Sequence, residues 1–368
     1  MKNKVIAILF AVLLLAGIVT HLAFPDKFYS ESEKRTLSQF PAISWKAVRT
    51  GKFGDAIEEY LADQFPGRDG WVTVKTAIER LSGKKESGGV YFADGGYLIE
   101  IQKGFSANQT AMNLRALKIL QDAMDEKGVP MRTMLVPTAA QILAEKLPAY
   151  APNADQTAVT REAEKAGIRL ADVTEALAEK KDGYIYYMTD HHWTSEGAYY
   201  AYAAWMRERG DAPDPLSAWT KEILSENFRG TTYSKVNNPD APFDVIEAYY
   251  KTTEHRVDYN GGNYVTDSLY ERKYLEGTDQ YAVFLNSNQS TTVVSGSGEG
   301  RLLILKDSYA NCFAQFCADD FEETHLIDLR FFPGSVKDYI AEKGITEVLV
   351  LYNIPNFTSD TGVARCAG

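Results

Sequence analysis

From Val5 to Phe24 the chain is apolar apart from Gly17, Thr20 and His21, and Lys2 and Lys4 stand just ahead of that run. About 20 apolar residues are enough to cross a bilayer as a helix, and flanking lysines favour the cytoplasmic side. The pattern therefore predicts an N-terminal signal anchor over residues 1–25, with the remainder of the chain outside the cytoplasm. A cleaved signal peptide, which would leave the protein secreted, and a buried core helix are the competing readings. Leu22-Ala23-Phe24-Pro25 lacks the small-x-small pattern of a cleavage site.

Two stripes at helical spacing follow. Phe53, Ile57, Tyr60, Leu61 and Phe65 form the first, Pro66-Gly67 ends it, and Trp71, Val74, Ile78 and Leu81 form the second. Residues 26–85 thus predict a helical neck, whose stripes are expected to pack into a core rather than to bind a partner. Beyond the polar linker Ser82 to Ser87, residues 88–99 predict a hairpin turning at Asp94-Gly95 or Gly95-Gly96.

Helix and strand patterns then alternate. A helix is predicted over 106–127, a strand over 130–137, a helix over 156–166 and a strand over 168–173. A further strand is predicted over 183–188, and a helix beyond Thr194 or Ser195, either of which can cap it. Residues 206–298 break this rhythm with Tyr, Asn, Thr and Gly and with short alternating runs such as 281–285, and they predict a β-rich insertion or cap. The rhythm returns with strands at 301–305, 324–329 and 347–352 and helices at 310–316 and 335–343. Such alternation implies an α/β domain over 86–368, built on a parallel sheet with right-handed crossovers.

Composition narrows the function. With 368 residues, 45% hydrophobic and 24% charged, the chain is an ordinary globular length with room for one large or two modest domains. A net charge of −11 argues against nucleic acid as a partner. Cys312, Cys317 and Cys366 make neither a disulfide framework nor a zinc motif.

Candidate chemistry sits in Thr189-Asp190-His191-His192-Trp193-Thr194, at the junction between a predicted strand and a predicted helix. In an extended segment Asp190 and His192 share a face while His191 points away. A carboxylate beside an imidazole can orient it and stabilise its charged form. The missing member of such a triad is a nucleophile. Leu303-Ile304-Leu305-Lys306-Asp307-Ser308-Tyr309 offers one: an apolar strand, a tight turn and a helix start. There Ser308 stands at a helix N-terminus, with the Ser308 and Tyr309 backbone N–H groups expected to be free for an oxyanion. The plainer reading of Ser308 is a helix cap. Asp190, His191, His192 and Asp307 could also ligate a metal, but adjacent histidines diverge in a strand, so no metal is expected. Cys312 reads as a buried small hydrophobe rather than a reactive thiol.

These residues resemble the DHHW family and, more widely, the SGNH-hydrolase-like O-acetyltransferases of exported polysaccharides, such as the alginate O-acetyltransferases. Glu33-Lys34-Arg35-Thr36-Leu37 with Phe40-Pro41 is similar to that group's opening signature, as is Asp63-Gln64-Phe65-Pro66-Gly67-Arg68. Val136-Pro137 through Leu147-Pro148 resembles its next block. Thr189 to Thr194 and Asp307-Ser308-Tyr309 are the strongest matches. The resemblance implies an SGNH-like α/β fold and a triad of Ser308, His192 and Asp190, with Asp and His preceding Ser in the chain. Lys306 departs from the group, which usually has Gly there. Tyr309, Asn311, Arg330, Tyr352 and Asn353 lie where such enzymes place oxyanion or substrate contacts.

The expectation is a membrane-anchored, extracytoplasmic O-acyltransferase or esterase acting on cell-surface polysaccharide, with no cofactor. Its acetyl donor would come from a membrane acyltransferase partner, because acetyl-coenzyme A is absent outside the cell. The alternative is a non-catalytic glycan-binding or assembly protein that keeps the fold. The distance from Ser308 to His192 separates the two.

Overall fold

The computed structural model describes residues 2–30, 35–251 and 254–367. Glu33 and Lys34 of the opening signature lie outside the described residues. The chain forms two compact units, residues 1–88 with 234–240, and residues 89–233 with 241–368.

In the first unit, helix α1 (Lys2–Ala23) contains the one described helix long and apolar enough to cross a membrane, and none of the stretch Lys4–His21 is buried. Helices α2 (Lys52–Asp63) and α3 (Arg68–Leu81) follow. They separate at Gly67, whose φ of 69° lies in the left-handed region that favours glycine. The expectation that both stripes pack into a core is overturned. Tyr60 is buried, but Leu61, Phe65, Trp71, Val74, Ile78 and Leu81 are exposed, Trp71 by 60% and Leu81 by 88%. Amphipathic spacing fixes which residues share a face and says nothing about what covers that face.

The second unit opens with the predicted hairpin, β1 (Val90–Phe92) against β2 (Leu98–Glu100), turning through Asp94–Gly96. Helix α4 (Ala107–Lys127) leads to β3 (Met131–Val136). Helix α5 (Ser195–Arg209) is capped by the Thr194 hydroxyl, which accepts from Gly197 N–H at 3.2 Å. Strands β4 (Thr220–Phe228) and β5 (Asp244–Tyr250) pair antiparallel. Next come β6 (Val257–Tyr259), β7 (Tyr264–Thr266), β8 (Thr291–Ser295), β9 (Arg301–Lys306), helix α6 (Tyr309–Cys317), β10 (Glu323–Asp328), helix α7 (Val336–Lys343) and β11 (Glu347–Asn353).

One seven-stranded sheet runs in the order β7-β6-β8-β10-β9-β11-β3. The strands β10, β9, β11 and β3 are parallel, whereas β8, β6 and β7 continue the sheet antiparallel. The β-rich segment therefore lengthens the central sheet as well as supplying the separate β4–β5 ladder. Alternation along β9 divides two cores: Leu302 and Ile304 join α5 and α6 on one face, while Leu303 and Leu305 join α4 and α7 on the other. Because these strands are parallel, Lys306, Asp328, Asn353 and Val136 all end at one edge. That edge is where open α/β sheets present ligands and chemistry.

Two predicted strands are absent, and the alternating run at 281–285 is not a strand either. Residues 168–173 make a single bridge, Leu170 to Thr133, and residues 183–188 make one from Tyr186 to Trp193. Residues 280–283 form a 3₁₀ turn. Aromatic and β-branched composition favours strands only where a partner strand offers a ladder. At 184–189 the ladder is replaced by one buried side chain. Asp244 accepts from Tyr184 O–H (2.6 Å), Met188 N–H (2.7 Å), Thr189 N–H (2.7 Å) and Thr189 O–H (2.5 Å). Asp244→Ala strands four donors, several of them buried, at about 1–3 kcal/mol for each that stays unpaired. Chemical denaturation should show a loss of about 3 kcal/mol or more, and an unchanged midpoint would contradict this account of the segment.

Candidate active site

Strand β9 ends at Lys306, and Asp307 and Ser308 form the turn into α6. Ser308 makes no capping hydrogen bond with its side chain, so the plain helix-cap reading fails. Its Oγ instead lies 2.7 Å from His192 Nε2. On the other side of the ring, His192 Nδ1 lies 2.5 Å from Asp190 Oδ1. With Nδ1–H donating to the carboxylate, Nε2 is left to accept the Ser308 proton. Ser308 is half-buried and reachable, whereas Asp190 and His192 are buried.

Asp190 is held from two directions. Its Oδ1 also accepts from His192 N–H (3.0 Å), and its Oδ2 accepts from Thr231 N–H (2.7 Å) and Thr231 O–H (3.0 Å). Thr231 Oγ1 in turn lies 2.5 Å from His191 Nδ1, which donates to it because the hydroxyl proton is already committed. Gly230 lets this backbone approach: a Cβ there would lie 2.1 Å from Asp190 Oδ2.

The two histidines do not diverge as alternation predicted. Residues 189–192 are a run of bends, and the rings of His191 and His192 lie 3.8 Å apart at 38°. The ligand atoms of Asp190, His191 and His192 come within 4.8 Å of one another, so the residues could approach a metal together. The same side chains are engaged with Thr231 and Ser308, and a metal would have to displace those bonds. On its other face His192 stacks against Tyr281 at 3.8 Å and 8°. Tyr281 Oη also reaches the Ser308 carbonyl at 3.1 Å.

The five other residues picked out around the sheet edge are spread through the supports of this site. The Tyr309 N–H is not free: it donates to Asp307 Oδ1 at 2.9 Å, and Tyr309 O–H donates to the His191 carbonyl at 2.5 Å. Asn353 donates to Asp307 Oδ2 from its backbone (2.9 Å) and its amide (2.7 Å). Burial pushes the Asp307 carboxyl up to about 6, against the pull of these donors. Asn311 accepts from Lys306 Nζ at 2.8 Å. Arg330 makes a forked pair with Asp328, Nε at 2.9 Å and Nη2 at 2.6 Å. Tyr352 is fully buried, and among the described residues its hydroxyl has no hydrogen-bond partner. Among the described residues the Ser308 N–H has no acceptor within the chain, which leaves it as the backbone donor beside the nucleophile. Cys312 is buried and its thiol is pushed up to about 12 by desolvation, so it stays protonated and unreactive.

Sequence reasoning missed Thr231, Gly230 and Tyr281. Each lies some tens of residues from its partner in the chain, within the stretch that reads only as a β-rich insertion or cap. The one available signal was the Gly230-Thr231 step in an otherwise bulky segment.

Residues 92–232 match the family described as "SGNH hydrolase-like domain, acetyltransferase AlgX". A curated relative, the probable alginate O-acetylase AlgJ of Pseudomonas syringae pv. tomato, is 25% identical over 173 residues, covering 45% of this chain and 44% of that protein. The chain thus aligns with less than half the length of this relative. A DHHW family protein from Eubacterium siraeum superposes with a TM-score of 0.64 at 24% identity, covering 76% of this chain and 95% of that one. Bacillus cereus PatB1 superposes with a TM-score of 0.62 at 22% identity, over 74% of this chain and 98% of PatB1. The resemblance drawn from the motifs is therefore supported: residues 92–232 are similar to an SGNH hydrolase-like domain, and the fold is shared with a DHHW family protein.

Proposed function

We propose that the protein is a membrane-anchored O-acyltransferase or esterase for polysaccharide, working through Ser308, His192 and Asp190. The observation that carries this reading is the continuous chain Ser308 Oγ–His192 Nε2 at 2.7 Å and His192 Nδ1–Asp190 Oδ1 at 2.5 Å. It lies within the hydrogen-bond reach a nucleophile and its base require.

Ser308 Oγ attacks the acyl carbonyl while His192 Nε2 takes its proton. The tetrahedral oxyanion forms beside the Ser308 N–H at the start of α6. Its collapse breaks the bond to the donor oxygen, which takes the proton back from His192 and leaves an ester on Ser308. A sugar hydroxyl, or water, then gives its proton to His192 and attacks that ester. The acyl group leaves on the acceptor and Ser308 recovers its proton. Asp190 remains a carboxylate throughout and steadies the imidazolium.

Polysaccharide is the proposed acceptor on the strength of the alginate named in the AlgJ relative. The unburied apolar helix α1 supports an anchor that leaves the catalytic unit outside the cytoplasm. An acetyl donor there would be supplied by a membrane acyltransferase. The test follows acetyl-ester turnover by purified protein with and without an unacetylated polysaccharide. Acetate transferred to the polysaccharide supports the transferase, release as free acetate alone supports the esterase, and turnover no faster than buffer contradicts both.

A further inference from the structure

The segment 281–288 is held against the nucleophile at two points. At one end Tyr281 stacks on His192 and reaches the Ser308 carbonyl. At the other, Asn288 Oδ1 accepts from Lys306 Nζ at 2.8 Å. Between them Leu285, Asn286 and Ser287 are all left-handed, with φ of 52°, 55° and 67°. Three consecutive non-glycine residues there persist only where the surroundings impose the conformation.

Backbone bonds from Leu285 to Leu269 and from Ser287 to Ala282 hold these residues directly, and Lys306 ties down the far end of the segment. Its ammonium is buried and donates also to Asn311 Oδ1 at 2.8 Å. Asn311 Nδ2 lies 3.4 Å from the Ser287 carbonyl, which closes the circuit. Desolvating an ammonium is costly, and an apolar side chain would fill the same space at less cost. Lys306 stands one residue before Asp307 and two before Ser308, so the clamp grips the turn that presents the hydroxyl.

We propose that Lys306 is a positioning residue, which through Asn288 and Asn311 keeps the 281–288 segment seated against Ser308 and His192. This rests on the function proposed above. The charged groups facing the ammonium are Asp328 at 3.9 Å, at the end of β10, Arg330 just beyond it, and Asp307 beside it. Burial outweighs the two carboxylates and lowers the Lys306 ammonium to about 8. It is therefore charged at neutral pH. Above about pH 8 it becomes an amine with one donor fewer and no charge against Asp328, and the clamp slackens.

The experiment measures the rate at which phenylmethylsulfonyl fluoride modifies Ser308 in the full chain, from pH 6 to 10, together with acetyl-ester kcat and KM. The wild type should lose reactivity above about pH 8. Lys306→Met should fall about tenfold in kcat and in labelling rate at neutral pH, with KM little changed and no break near pH 8. Asn288→Ala, on a half-buried loop, should reproduce the tenfold loss if Lys306→Met fails to fold. Labelling of the wild type together with wild-type rates and pH profile in Lys306→Met or Asn288→Ala would overturn the clamp alone. No labelling of Ser308 in the wild type at any pH would sink the proposed function, and the clamp with it.

Discussion

Replacing Ser308 with alanine is expected to abolish acetyl-ester turnover, by roughly four to six orders of magnitude in kcat. The hydroxyl stands at the α6 terminus and already lies 2.7 Å from a base. His192→Ala should cost nearly as much, because an unassisted serine hydroxyl is a weak nucleophile. The double variant should be no worse than either single one, since residues acting as one unit lose their effect together. Ser308→Ala removes only a hydroxyl, so its thermal unfolding should move little, whereas His192→Ala deletes a buried ring stacked on Tyr281 and should unfold at a lower temperature. Kinetics on a chromogenic acetyl ester decide the matter, and a Ser308→Ala rate within tenfold of wild type would contradict the triad.

Asp190→Asn should lower kcat roughly ten-thousand-fold, although the side chain keeps its size. The described hydrogen-bond partners of Asp190 are donors: His192 Nδ1–H and N–H at Oδ1, Thr231 N–H and O–H at Oδ2. An asparagine must turn its NH₂ toward one of these pairs. Facing His192, it forces the proton onto Nε2 and removes the base from Ser308. Facing Thr231, it opposes two donors and loosens the carbonyl that holds the ring. KM for a small ester should stay near wild type while kcat collapses, and a kcat within a few-fold of wild type would show that Asp190 does not orient the base.

The groups with the largest expected effects were the ones most open to reading from sequence. Asp190 and His192 are two residues apart, and Ser308 sits where an apolar strand turns into a helix, so local spacing pointed to all three. Their supports were not readable, because Thr231, Tyr281 and Asn288 reach the site across the fold. The 183–188 stretch misled for a related reason. Its aromatics call for burial, which they have, but Asp244, from a distant strand, supplies the acceptor that a neighbouring ladder would have provided. The alternation rule held for Asp190 and His192 and failed for His191, because the chain bends at 189–192. In the first unit the stripe through Trp71 and Ile78 was read correctly as a face, yet it is exposed. Periodicity reports a helix's own chemistry, whereas burial is a property of its neighbours.

The most direct test is mass spectrometry of the intact protein and its peptides after brief exposure to an activated acetyl ester. The account predicts an acetyl group on the Ser308 peptide of the wild type, lost again when an acceptor is added, and little or none on His192→Ala. A wild-type protein that turns over the ester while Ser308 stays unmodified under quenching, or that never acetylates there at all, would contradict it.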